Sequence, residues 1–162
     1  MLKLHELNVL RAIGDDIKKR DDLSRSYQCS NFKFNPCTAL DLESSIINVL
    51  NNFENSHLIQ ITKKTRKLDD NVIIMTHIGF YEYLKYSGGV LEIFKPVARQ
   101  IKNGNLDSEK ISQSTNLKRV VVCTILNEWV DSGLIKVLKK EYIEIKAVTL
   151  HGDKFIEALL MV

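Results

Sequence analysis

One thirteen-residue pattern occurs twice in this chain. VLNNFENSHLIQI at 49–61 and ILNEWVDSGLIKV at 125–137 align without a gap at an offset of 76 residues. Leu50 matches Leu126, Asn51 matches Asn127, Phe53 matches Trp129, Ser56 matches Ser132, and Leu58-Ile59 match Leu134-Ile135. Farther on, Thr76-x-x-Gly79 matches Thr149-x-x-Gly152 at an offset of 73. Two copies of one supersecondary unit account for both matches, the first copy holding a slightly longer hairpin. Ser87-Gly88-Gly89 reads as the linker between them. The expected division is therefore a first domain over 1–86, a linker over 87–89 and a second domain over 90–162.

The second copy has the clearer pattern. Leu117, Val122, Ile125, Leu126 and Trp129 recur at helical spacing and predict a helix with one apolar stripe. Ser132-Gly133 ends it, because glycine just past a helix accepts the left-handed conformation that a Cβ penalises. A short polar helix over 108–114 precedes it. LIKVLKKEYIEIKAVT then holds two alternating runs joined by a tight turn near Lys140-Glu141, the signature of a hairpin. Thr149 is placed to cap a last helix.

In the first copy, residues 3–20 read as an amphipathic helix with Leu4, Leu7, Val9, Leu10, Ile13 and Ile17 on its apolar side. Residues 21–37 lose that pattern; Tyr27, Cys29, Phe32 and Phe34 suggest a short extended segment, and Pro36 forbids a helix interior. A helix restarts near Thr38, with Thr38 or Asp41 as its cap, and carries Leu42, Ile46, Leu50 and Phe53 inward. LIQITKK and NVIIMT form the hairpin, and FYEYLKY the last helix. The fold class expected is mainly α with small antiparallel β-hairpins, in two tandem domains.

These residues resemble the winged-helix (winged helix-turn-helix) superfamily of DNA-binding domains, twice in tandem. The carriers are Ser132-Gly133-Leu134-Ile135, the Val122/Leu126/Trp129 stripe before it and Val148-Thr149-x-x-Gly152 after it. Many bacterial and archaeal transcription regulators, including those of the multiple-antibiotic-resistance type, show this order. The likeness is good over 90–162 and partial over 1–86, where NFKFNPCT at 31–38 takes the place of the first helix of the helix-turn-helix without looking helical.

The resemblance implies that the second helix of the helix-turn-helix enters the major groove and the wing meets the backbone. In the second copy the leading residues are Ser114, Thr115, Asn116, Lys118 and Arg119. Arg can bond guanine, and Asn adenine, through two hydrogen bonds, whereas Ser, Thr and Lys suit phosphates. Val120, Thr124 and Asn127 are expected on the outward face, Val120 and Thr124 against thymine methyls. Lys136, Lys139 and Lys140 on the wing would neutralise phosphate. The first copy places Asp41, Leu42, Glu43, Ser44, Ser45 and Asn48 there instead, and its two carboxylates repel a polyanion. Its wing nevertheless holds Lys63, Lys64, Arg66 and Lys67, partly offset by Asp69 and Asp70. The expectation is an asymmetric pair in which the second copy reads bases and the first braces.

The function expected is sequence-specific double-stranded DNA binding in transcription regulation, with a homodimer on a pseudo-palindromic site and the helices over 3–20 and 80–86 as its seam. Two rivals stand beside it. One is a protein-interaction module of the segregation- or trafficking-adaptor type, which Val120, Val121 and Cys123 would suit if exposed. The other is a plasmid- or virus-type replication initiator. The net charge of +3 over 162 residues is too mild to argue for nucleic acid by itself.

Other chemistry finds little purchase. Four histidines (His5, His57, His77, His151) and three cysteines (Cys29, Cys37, Cys123) show no structural-zinc spacing, and a Cys29/Cys37 site is less favoured than plain buried thiols. His57 sits where the second copy has Gly133, the position of a helix terminus. Phe80, Tyr81, Tyr83 and Leu84 could line a ligand pocket or a dimer seam, and at helical spacing suit a core. No phosphate-binding loop, nucleophile elbow, HExxH or paired-carboxylate arrangement is present, so neither an enzyme nor a cofactor is expected. The unpaired cysteine count suggests a reducing cytoplasm. The charged N-terminus does not read as a signal peptide, and no apolar run is long enough to span a membrane.

Overall fold

The computed structural model describes residues 2–32 and 39–162, with only the backbone of residues 39–42 in the second helix. The expected features at Phe34, Pro36, Cys37 and Thr38, and the side chains of Asp41 and Leu42, lie outside the described residues. The chain is mainly helical with small antiparallel sheets. It divides into two compact units, Met1–Tyr83 and Leu84–Val162, a division that falls inside a helix and just ahead of Ser87-Gly88-Gly89. Among the described residues no helix is long and apolar enough to cross a membrane.

The first unit opens with α1 (Leu4–Arg20), whose start is fixed by the Lys3 N–H donating to Glu6 at 2.7 Å. Val9, Leu10, Ile13 and Ile17 are buried on its inner side. β1 (Tyr27–Gln28) runs into a 3₁₀ turn over Cys29–Asn31. Next come α2 (Ala39–Asn55), β2 (Ile59–Lys63), a 3₁₀ turn over Leu68–Asp70, β3 (Val72–Met75) and α3 (His77–Ser87). The sheet order is β1-β3-β2, antiparallel throughout. Ile46, Val49, Leu50 and Phe53 of α2 and Phe80 and Tyr83 of α3 complete the core. The Tyr83 ring packs on Gly14, where an added Cβ would come within 2.3 Å of it, and the Tyr83 hydroxyl donates to Asp15 at 2.5 Å.

In the second unit a π-helical turn over Val90–Phe94 leads into α4 (Lys95–Lys102). α5 (Ser108–Thr115), α6 (Arg119–Asp131), β4 (Ile135–Lys139), β5 (Ile143–Val148) and α7 (Leu150–Met161) follow. Asp107 bridges to Glu144, and the Ile145 N–H donates to Leu106 at 2.7 Å. A short extended piece therefore lies beside β5, as β1 lies beside β3 in the first unit.

The sequence repeat is a repeat of hydrogen bonds. β2 and β4 begin and end 76 residues apart, and α3 and α7 begin 73 apart. Thr76 donates its hydroxyl to the carbonyls of His57 and Leu58, at 2.6 and 3.0 Å, and accepts the Gly79 N–H at 3.0 Å. Thr149 does the same with Gly133, Leu134 and Gly152, at 2.9, 3.0 and 3.0 Å. Both glycines are required by space: a Cβ on Gly79 or Gly152 would stand 2.0 Å from the Leu58 or Leu134 carbonyl oxygen. His57 and Gly133 occupy the same left-handed position, at φ +58° and +70°. The expectation of a helix terminus at His57 thus holds.

Candidate nucleic-acid interface

In the second unit the turn between α5 and α6 is built from its own polar groups. Asp107 caps α5 by accepting the Glu109 and Lys110 N–H groups at 2.8 and 3.2 Å. Asn116 ends α5 at φ +56°, a conformation Asn tolerates better than most residues. The Ser112 hydroxyl donates to the Leu117 carbonyl at 2.6 Å, and the buried Ser108 hydroxyl accepts the Ile143 N–H of the hairpin at 3.0 Å. Arg119 joins the three elements. It pairs with Glu109 of α5 at 3.5 Å and donates to the Glu141 carbonyl at the hairpin tip.

These contacts sort the residues expected to meet DNA. Ser114, Asn116 and Lys118 are exposed on the turn. The Thr115 hydroxyl is instead directed back along its own helix, donating to Ile111 at 2.7 Å. Arg119 is half-exposed and held within the fold. Val120 and Thr124 are buried, at 8% and 2% exposure, which corrects their assignment to an outward face. The geometric reason is that α6 buries Val120, Val121, Val122, Thr124, Ile125, Leu126 and Trp129, far more than one stripe. At the hairpin, Lys136, Lys139 and Lys140 are exposed, and Lys140 pairs with Glu144 at 3.5 Å. Lys146 bonds the same carboxylate at 2.5 Å, and this hydrogen bond above all lowers the Glu144 pKa, against an opposing desolvation effect.

In the first unit the wing loop is held from inside and charged outside. The Asn71 side chain, itself buried, accepts the Thr65 N–H at 2.6 Å. The Thr65 hydroxyl donates to Lys67 at 2.7 Å, and Glu43 accepts the Leu68 N–H at 2.9 Å. Lys63, Lys64, Arg66 and Lys67 are left exposed around this loop, with Lys64 paired to Glu54 at 3.4 Å. Glu43 therefore does not face outward as a bare carboxylate; it is bonded to the backbone of the wing. Sequence spacing gave no sign of a bond across 25 residues.

The remaining candidates resolve simply. Phe80, Tyr83 and Leu84 are fully buried, so they form core rather than line a pocket or seam. Cys29 is buried, and burial, with Asp69 nearby, pushes its thiol up to about 11, which disfavours the thiolate a metal would need. A cavity of about 540 Å³ does occur in the first unit, between α1 and α2, with Val9, Ala12, Tyr27, Phe32, Ile46 and Val49 among its walls.

Comparison with known proteins adds no relative: no family model, no curated protein and no solved structure matches this chain.

Proposed function

We propose that this protein binds duplex DNA in a sequence-dependent manner and serves in transcription regulation, as a tandem pair of winged-helix domains. The observation that carries the reading is the helix-turn-helix tied to a hairpin in the second unit, α5 and α6 joined to the hairpin tip through Arg119. In each unit, exposed cations stand at positions that a winged helix would turn to a phosphate backbone. Lys118 stands at the turn, Lys136 and Lys139 on one wing, and Lys63, Arg66 and Lys67 on the other. Ser114 and Asn116 add hydrogen-bonding groups beside Lys118. Val120 and Val121, which the rival reading as a protein-interaction module would display, are buried.

The test is selection of a random-sequence duplex library by the full chain. The reading expects an enriched motif, and a repeated half-site within it would report a homodimer. Charge reversal at Lys63, Arg66 and Lys67 should weaken binding to all duplexes alike, since phosphate contacts carry no sequence information. Absence of enrichment, with no salt-sensitive binding to duplex, would overturn the reading.

A further inference from the structure

The outward face of α2 carries Ser44, Ser45, Asn48, Asn52 and Asn55, all exposed and all uncharged hydrogen-bonding residues. Steps of three and four keep them on one side of the helix. The opposite side carries Ile46, Val49, Leu50 and Phe53 into the core. The two acids between 43 and 55 are both turned to the hairpin: Glu43 accepts the Leu68 N–H, and Glu54 accepts the Ile61 N–H at 3.0 Å and pairs with Lys64. The hairpin that carries the exposed Lys63, Arg66 and Lys67 is held to α2 through these two acids.

The matched positions of α6 differ in kind. Seventy-six residues on, Ser44 and Ser45 become Val120 and Val121, both buried, and Asn48 becomes Thr124, also buried. Asn52 and Asn55 become Glu128 and Asp131, and carboxylates on a reading face would repel phosphates. Both helices lead into the same hydrogen-bonded turn, yet over 44–55 α2 presents exposed amides and hydroxyls with no carboxylate among them, Asp41 lying ahead of this stretch.

From this comparison we infer that α2 is the base-reading helix, lying in the major groove of duplex DNA with Asn48 and Asn52 on adenine edges. This inference rests on the DNA-binding reading above and reverses the division of labour that the charges alone suggest. The second unit then contributes mainly backbone contacts through Lys118 and its wing. The face from Ser44 to Asn55 is about 16 Å long, which covers about five base pairs at 3.4 Å each. A major groove admits one α-helix, and Asn can donate to and accept from adenine at once. The exposed wing cations of the same unit would supply charge for the phosphates that border the groove.

The experiment runs the duplex selection in parallel with wild type, the double variant Asn48→Ala/Asn52→Ala and Lys118→Glu. All these side chains are exposed, and far-ultraviolet circular dichroism checks that each variant folds. The double variant should lose the preference for adenine at two positions of the wild-type motif. Its affinity for the wild-type site should fall about 10-fold or more per asparagine, with affinity for unrelated duplex unchanged. Lys118→Glu should keep the motif and bind every sequence more weakly. If the double variant selects the wild-type motif with unchanged affinity while Lys118→Glu loses it, base reading belongs to the second unit and the inference is overturned, with the DNA reading intact. If wild type itself selects nothing and binds no duplex, the DNA reading has failed and this inference falls with it.

Discussion

Replacing Gly152 by Ala separates two physical effects that act in opposite directions. Alanine is the better helix former by about 1 kcal/mol, so propensity alone expects α7 to gain stability. The structure expects a loss. A Cβ on Gly152 would lie 2.0 Å from the Leu134 carbonyl oxygen, whereas ordinary contacts begin at 3.4 Å, so the chain must open by more than an ångström. That carbonyl accepts both the N–H and the hydroxyl of Thr149, each at 3.0 Å. Overpacking costs about 1–3 kcal/mol. Weakening two hydrogen bonds adds about 1 kcal/mol for each. Set against the propensity gain, the net destabilisation is about 2–4 kcal/mol, or at least about a 30-fold shift in the folding equilibrium. Trp129 is the one tryptophan of the chain and is buried against Phe155 of α7 at 5.5 Å, so its fluorescence during urea titration reports this unit alone. A two-unit chain need not unfold in one step, which makes a local probe necessary. Gly133→Ala is the comparison: a Cβ there meets nothing within 4 Å and is opposed only by φ +70°, at a cost of about 1 kcal/mol. A Gly152→Ala protein as stable as wild type, or more so, would refute the close approach of α7 to Leu134.

Two other perturbations probe the same reasoning. His57→Gly relieves a left-handed φ of +58° and should stabilise the first unit by about 0.5–1 kcal/mol, read as greater amide hydrogen-exchange protection in α2 and β2; reduced protection would show that the His57 side chain supports the turn. Alkaline pH should weaken the first unit. Burial pushes the Cys29 thiol from 9.0 up to about 11 and the Tyr27 hydroxyl from 10.0 up to about 12, with Asp16 adding to the second. Their contribution is full below pH 9 and is lost as pH rises through the folded values, so hydrogen-exchange-derived stability, corrected for intrinsic rates, should fall between pH 9 and 12. A flat profile across that range would contradict the burial of both groups.

The framework was legible in the sequence because the repeat records local rules. A threonine three residues ahead of glycine, and a helix ended by a residue that takes positive φ, are short-range devices, and both copies print them. The apolar positions of α1, α2 and α6 likewise follow helical spacing. What spacing could not give is which neighbours claim a side chain. Thr124 and Val120 looked outward on a one-stripe helix, but α6 is buried over most of its surface. Arg119 looked available to a base and is engaged by Glu109 and Glu141. Glu43 looked like a carboxylate opposed to DNA, and its bond to Leu68 depends on a hairpin that folds back over α2. These are tertiary outcomes, and the proposal that the first copy carries the reading helix starts from them.

The most direct test of the central claim is the salt dependence of duplex affinity, measured by fluorescence anisotropy with the full chain. Lys63, Arg66, Lys67, Lys118, Lys136 and Lys139 are exposed and carry no ion pair among the described residues. If these six meet phosphates, the logarithm of the binding constant should fall against the logarithm of salt concentration with a slope of about −5. Charge reversal of any one should reduce that slope by about one. An affinity that hardly changes with salt would contradict duplex DNA as the partner.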